Sequence, residues 1–214
     1  MSKMGHNIVG KRKSAEENIM LTRKIEKNIR DWIKNDDRAL LLYGVRQAGK
    51  TYIIRKCLKD EGCSYVEFNL IKEPEIVTIL ETSSDIDDLI LKLSLYSNEK
   101  IIPGETFLFF DEIQKYKEIV TKIKFLVEDK RYRYVLSGSL LGIEIVNLKS
   151  APVGSLRTMK LYPLDFEEFL QLFNINDKAY GLLKSAYEGR SAVDEMIHNK
   201  MLQIFNLYLI IGGM

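Results

Sequence analysis

Cysteine is scarce in this chain. Cys57 and Cys63 are the only two among 214 residues. They form no C-x-x-C pair or ligand cluster, which suits a reducing cytosol better than a disulfide framework. Histidine is equally thin, with His6 and His198 isolated, so no histidine metal centre is expected. Long apolar runs are missing too. The nearest, residues 201–211, is too short to span a bilayer and is interrupted by Gln203 and Asn206. The first twenty residues lack the apolar stretch of a signal peptide, so no membrane association and a cytosolic location are expected. Neither sign of charge dominates: 32 Lys and Arg against 30 Asp and Glu leave +2, which demands no polyanionic partner. Internal repeats and low-complexity tracts are absent. What remains is the composition of an ordinary globular α/β chain, 46% hydrophobic and 29% charged, long enough for one full core.

The informative stretch is Gly44-Val45-Arg46-Gln47-Ala48-Gly49-Lys50-Thr51, which fits G-x-x-x-x-G-K-[ST] without a mismatch. The apolar run Ala39-Leu40-Leu41-Leu42-Tyr43 before it reads as a strand buried on both faces. After it, Ile53, Ile54, Cys57 and Leu58 mark the apolar face of a helix, which makes core packing the expected role of Cys57. Strand, glycine-bounded loop and helix form the context in which this motif holds phosphate. Gly44 and Gly49 are expected to permit backbone conformations that turn successive N–H groups onto an anion. The helix start near Lys50 adds the positive end of its dipole. Lys50 is then expected to reach the β- and γ-phosphates of a nucleotide, and the Thr51 hydroxyl to ligate Mg²⁺.

A second apolar run, Thr106-Phe107-Leu108-Phe109-Phe110, ends in Asp111 and Glu112. An acid at the C-terminal end of a buried strand beside a phosphate loop can hold the Mg²⁺ shell, the role expected of Asp111. Glu112 becomes the candidate base that polarises an attacking water. The plainer alternative is that both acids cap the helix that follows. Further along, residues 64–69 alternate as a strand, and 132–137 form another buried strand with a polar tip. Helices are expected over 19–34, over 85–97 with Ser84 as N-cap, over 116–129, and over 166–173 behind a capping box of Asp165 and Glu168. Alternation of strands and helices predicts an α/β fold, a parallel sheet covered on both faces.

These motifs resemble those of P-loop ATPases of the AAA+ type. More closely, the chain is similar to a prokaryotic AAA+-like family whose ATPase core precedes a C-terminal domain of unknown function. The particular matches are Ser137-Gly138-Ser139-Leu140-Leu141-Gly142, Pro152-Val153-Gly154, the stretch from Leu161-Tyr162-Pro163 to Leu170, and the terminal Tyr208 to Met214. The resemblance implies ATP as the nucleotide; no N-K-x-D motif of the GTPase kind is present. It also places the 132–137 strand between the phosphate loop and the Asp-Glu strand, with Ser137 or Ser139 facing the γ-phosphate. Arg46 is matched by the family pattern and is expected to touch phosphate or a neighbouring element. For an arginine finger from an adjacent subunit the candidates are Arg157 and Arg131, with surface solvation the favoured reading for both. Residues 19–23 are expected near the adenine.

The resemblance divides the chain into a basic flexible segment 1–18, an ATPase core 19–173, and a helical lid or start of a further region 174–214. The terminal Gly212-Gly213 pair after an apolar helix suggests a chain that continues in the family. The leading function is Mg²⁺-dependent ATP hydrolysis coupled to conformational change on an unidentified macromolecular partner, with homo-oligomers among the family's forms. One alternative is a nucleotide-dependent switch with slow or no hydrolysis, associated with nucleic acid through the basic N-terminus. Another is a small-molecule phosphotransferase, against which stands the lack of any arginine but Arg157 between positions 140 and 189.

Overall fold

The computed structural model describes residues 21–139, 154–173, 175 and 177–213. The expected flexible segment 1–18, the helix start at 19 and 20, the motif residues at 140–142, 152 and 153, and Met214 lie outside them. Among the described residues, five strands form one parallel sheet: β1 (Ala39–Gly44), β2 (Ser64–Asn69), β3 (Thr106–Asp111), β4 (Arg133–Ser139) and β5 (Leu156–Leu161), in the spatial order β2-β3-β4-β1-β5. β1 and β3 are buried almost end to end, as continuous apolar runs require, whereas edge strand β2 alternates. β4 lies between β1 and β3, where the resemblance placed it.

Helices cover both faces. On one side α1 (Ile25–Asn35) and α2 (Lys50–Asp60) pack Ile29, Trp32, Ile53, Ile54 and Cys57 against Leu40, Leu42, Phe107 and Phe109. Cys57 is fully buried, and burial pushes its thiol up to about 11, in keeping with a packing role. On the other side α3 (Pro74–Thr82), α4 (Ile86–Ser97) and α5 (Ile119–Glu128) close over Leu41, Leu108, Phe110 and Leu136. A third cluster joins α6 (Phe166–Leu170) to α8 (Glu195–Ile211) through Phe169, Leu170, Met201 and Ile204; α7 (Asp177–Glu188) completes the described helices. The residues of this third cluster fall on both sides of position 173. Among the described residues no helix is long and apolar enough to cross a membrane.

Several helix limits differ from expectation, each for a local reason. α1 starts at Ile25 because the backbone before it is taken up by tertiary bonds. Thr22 N–H donates to Gln171 Oε1 (2.9 Å), Gln171 Nε2 donates to Thr22 O (3.0 Å), and Lys24 N–H donates to Glu168 Oε1 (2.8 Å). The N-cap of α4 is Asp85, not Ser84: its carboxylate accepts from Asp88 N–H at 2.9 Å, a stronger acceptor than a hydroxyl. α5 begins at Ile119 because a 3₁₀ turn, Ile113–Lys115, and the non-helical Tyr116 (φ −141, ψ 79) intervene. The helix over 166–173 is α only to Leu170 and tightens to 3₁₀ over Gln171–Phe173; the Asp165–Glu168 capping box forms as expected. α3 was not expected, although Pro74 at its first turn and the i, i+4 pair Ile76 and Leu80 signal it.

Gly44 plays a part different from the conformational one expected. Its φ is not in the left-handed region. Instead, register pairs it with Leu161 of β5, and a Cβ there would collide with the Leu161 carbonyl oxygen and lie 3.1 Å from its carbon. Gly44→Ala is therefore expected to cost about 1–3 kcal/mol by forcing β5 outward, read as a lower melting temperature. A melt indistinguishable from the parent's would show that β5 yields freely at this point.

Candidate nucleotide site

The Gly44–Thr51 loop leaves the C-terminal end of β1 and runs directly into α2, whose first residue is Lys50. Gly49 sits at φ 90 and Gln47 at φ 66, so the loop carries two left-handed residues with Ala48 between them. Such alternation turns neighbouring N–H groups to one side, the geometry of an anion nest. Arg46 and Gln47 are exposed, whereas Ala48 is buried. Lys50 is buried as well, and its ammonium donates to Gly44 O (3.2 Å), Val45 O (2.8 Å) and Ser139 Oγ (3.3 Å). Burial pushes its pKa down, and the carboxylates of Glu112 and Asp111 pull it back up.

Asp111, at the end of β3, is held from three sides. Thr51 Oγ1 donates to Asp111 Oδ2 at 3.0 Å, Asn69 Nδ2 donates to the same oxygen at 3.1 Å, and Ser137 Oγ donates to Asp111 Oδ1. Register explains the set: Asn69 at the end of β2 is the partner of Asp111 on β3, and Ser137 comes from β4 on the other side. The Asn69 amide is oriented by its own turn, its Oδ1 accepting from Ile71 N–H and Lys72 N–H at 3.1 and 3.0 Å. Sequence reasoning passed over Asn69, although its place at the end of the strand before the acid pair was the available signal.

Glu112 is the first residue past β3 and takes φ 59, a left-handed conformation rare for a residue with a side chain. Its carboxylate accepts from Gln114 Nε2, and Gln114 Oε1 accepts from Ser139 N–H at 3.2 Å. The two serines expected at the tip of β4 therefore part company. Ser137 is fully buried on Asp111, whereas Ser139, two residues further on, is the one that meets Lys50.

The two arginine-finger candidates lie elsewhere. Arg157 is engaged by Asp36 (3.0 Å) and Asp31 (3.5 Å), and Arg131 by Asp129 (2.7 Å) and Asp87 (2.5 Å). Both arginines precede or begin their strands, at the sheet end opposite the loop. Arg23 is buried behind the loop. It donates to Ala48 O (3.3 Å) and Tyr162 O (2.6 Å) and pairs with Glu168 at 3.1 Å. A groove of about 880 Å³ opens beside α1, lined by ion pairs such as Arg30–Asp60 at 2.7 Å and by Leu170, Ile175 and Tyr180; Arg23 lies on it, whereas residues 44–51 do not.

A parallel sheet in this order, with a glycine-bounded loop at the end of β1, an acid pair at the end of β3 and β4 inserted between them, defines an α/β P-loop NTPase fold of the AAA+-like kind. Comparison narrows the class. The chain belongs to the family whose model is described as an AAA domain, which matches residues 36–170. No curated protein sequence matches it. Among solved structures it is similar to a Walker-type ATPase of Pyrococcus abyssi, with 16% identity and a TM-score of 0.52 over 92% of this chain. It spans 65% of that protein's length. It also matches an ORC1 protein of Aeropyrum pernix, solved in complex with DNA, at 12% identity and a TM-score of 0.45, over 89% of this chain and 68% of that one. At these identities the first likeness speaks for the fold alone.

Proposed function

We propose that the chain binds ATP with Mg²⁺ at the Gly44–Thr51 loop and hydrolyses it. The observation that carries this reading is the contact between Thr51 Oγ1 and Asp111 Oδ2, which joins the two motifs 60 residues apart in sequence. A hydroxyl and a carboxylate are hard oxygen donors of the kind Mg²⁺ selects, and these two already adjoin, so Thr51 and Asp111 would hold the ion. When held there, Mg²⁺ would neutralise the negative charge that develops on the phosphates.

The chain's own groups supply the rest. Backbone N–H groups of residues 44–49, including Val45, Arg46, Gln47 and Ala48, surround the phosphates, and the Lys50 ammonium exchanges its carbonyl partners for phosphate oxygens. Glu112 accepts a proton from the attacking water as the water oxygen bonds the γ-phosphorus and the bond to ADP breaks, the electron pair leaving with ADP. Ser137 fixes the Asp111 carboxylate from behind, and Ser139, beside Lys50, is the better placed of the two serines to meet the γ-phosphate. An Asp-Glu pair beside the loop favours water over a bound acceptor as the nucleophile. Hydrolysis is coupled to conformational change on a macromolecular partner, with a cytoplasmic setting the simplest one for a chain of this composition.

The test is isothermal calorimetry with Mg·ATP followed by phosphate release from the same sample. Saturable binding with ADP and phosphate as products is the expected result. A folded chain that binds no nucleotide would sink the proposal.

A further inference from the structure

Two residues beyond Glu112, the side-chain amide of Gln114 is bonded at both ends. Its Nε2 donates to Glu112 Oε2, and its Oε1 accepts from Ser139 N–H at 3.2 Å. A primary amide can do both at once; a carboxylate has no donor, and lysine or arginine no acceptor. The local backbone makes the bridge short. The left-handed Glu112 turns the chain into the 3₁₀ turn Ile113–Lys115, which fully buried Ile113 pins to the core, so residues 112 and 114 come together. The far end of the bridge is equally defined. Ser139 is paired in register with Gly44, and its hydroxyl accepts from Lys50 Nζ at 3.3 Å. One amide thus connects the candidate base to the strand tip that adjoins the phosphate loop.

We propose that Gln114 is a positioning residue for the hydrolysis, resting on the ATPase reading given above. Its Nε2 engages one oxygen of the Glu112 carboxylate and leaves the other to take the proton of the water. Its Oε1 references that carboxylate to Ser139, so that the base is aimed from the tip of β4 and not from its own loop alone. Glu112 has three side-chain torsions and is only half-buried; without the amide its carboxylate samples orientations that do not face the water.

Phosphate release and calorimetric Mg·ATP binding are measured on the parent, Gln114→Ala and Gln114→Glu, from about pH 8 down to about pH 5.5, toward the range of an ordinary carboxyl. For Gln114→Ala, kcat is expected to fall about 10- to 100-fold while KM and the calorimetric Kd stay within about twofold. Gln114→Glu is expected to be slower still at the upper pH, where a second carboxylate repels Glu112. Its rate relative to the parent recovers as pH falls, because the protonated acid regains a donor. A purely structural role would lower stability in both variants and give no such recovery. Parent-like kcat in Gln114→Ala, a loss confined to KM and Kd, or a pH-independent ratio for Gln114→Glu overturns the proposal. A parent that releases no phosphate overturns the ATPase reading instead. The bridge is then read by NMR, where the Ser139 amide proton of Gln114→Ala must shift upfield on losing its acceptor. An unmoved resonance overturns the bridge.

Discussion

Lys50→Ala is expected to raise the Kd for Mg·ATP by about 100-fold or more and to remove phosphate release with it. A charge-assisted hydrogen bond contributes about 1.5–3 kcal/mol, and an ammonium between two phosphates makes at least two of them. This ammonium lies among the Gly44 and Val45 carbonyls and the Ser139 hydroxyl. Burial disfavours its charge, and the nearby Asp111 and Glu112 offset that only in part. A triphosphate brings negative charge around it, so nucleotide binding gains from an ammonium whose charge burial otherwise disfavours. Removing Lys50 should accordingly leave the melting temperature equal to the parent's or higher. Calorimetry and a thermal melt on the same preparation separate lost binding from lost fold. Parent-like affinity in Lys50→Ala would place the phosphates somewhere other than this loop.

Glu112→Gln is the complementary experiment. The amide keeps the size of the side chain and an oxygen to accept from Gln114 Nε2, but it cannot take a proton. Mg·ATP affinity is expected to stay within about threefold of the parent, since the base contributes little to ground-state binding, while turnover falls about 10²- to 10⁴-fold. Single-turnover phosphate release with enzyme in excess over ATP reads the chemical step directly. Unchanged turnover would assign the base elsewhere and reduce Glu112 to a cap on the 3₁₀ turn that follows it.

The framework of the site was legible because its elements announce themselves locally. The apolar runs of β1 and β3, the glycines between β1 and α2, and the acids after Phe110 each follow from a short pattern with one physical meaning. The position of β4 came from resemblance, and the sheet order bears it out. What escaped depends on register and depth. Parity places Ser137 and Ser139 on one face of β4, but only the height of Lys50 relative to the strand end decides which hydroxyl meets it. Asn69 joins Asp111 because β2 and β3 pair with those two residues opposite each other, and no single strand carries that fact. Gly44 looked like a conformational glycine, yet its constraint comes from Leu161, more than a hundred residues away in sequence. The start of α1 is likewise set by Gln171 and Glu168 rather than by its own residues.

The left-handed backbone at Glu112 has a consequence for anyone who evolves or redesigns this chain. Holding a side-chain-bearing residue at φ 59 costs about 1 kcal/mol or more, and glycine or asparagine relieves much of it. A laboratory selection for heat resistance alone would therefore drift toward those two residues at position 112, discarding the base as it gained stability. Selections on this scaffold need turnover in the readout, or their most robust survivors will be silent ones.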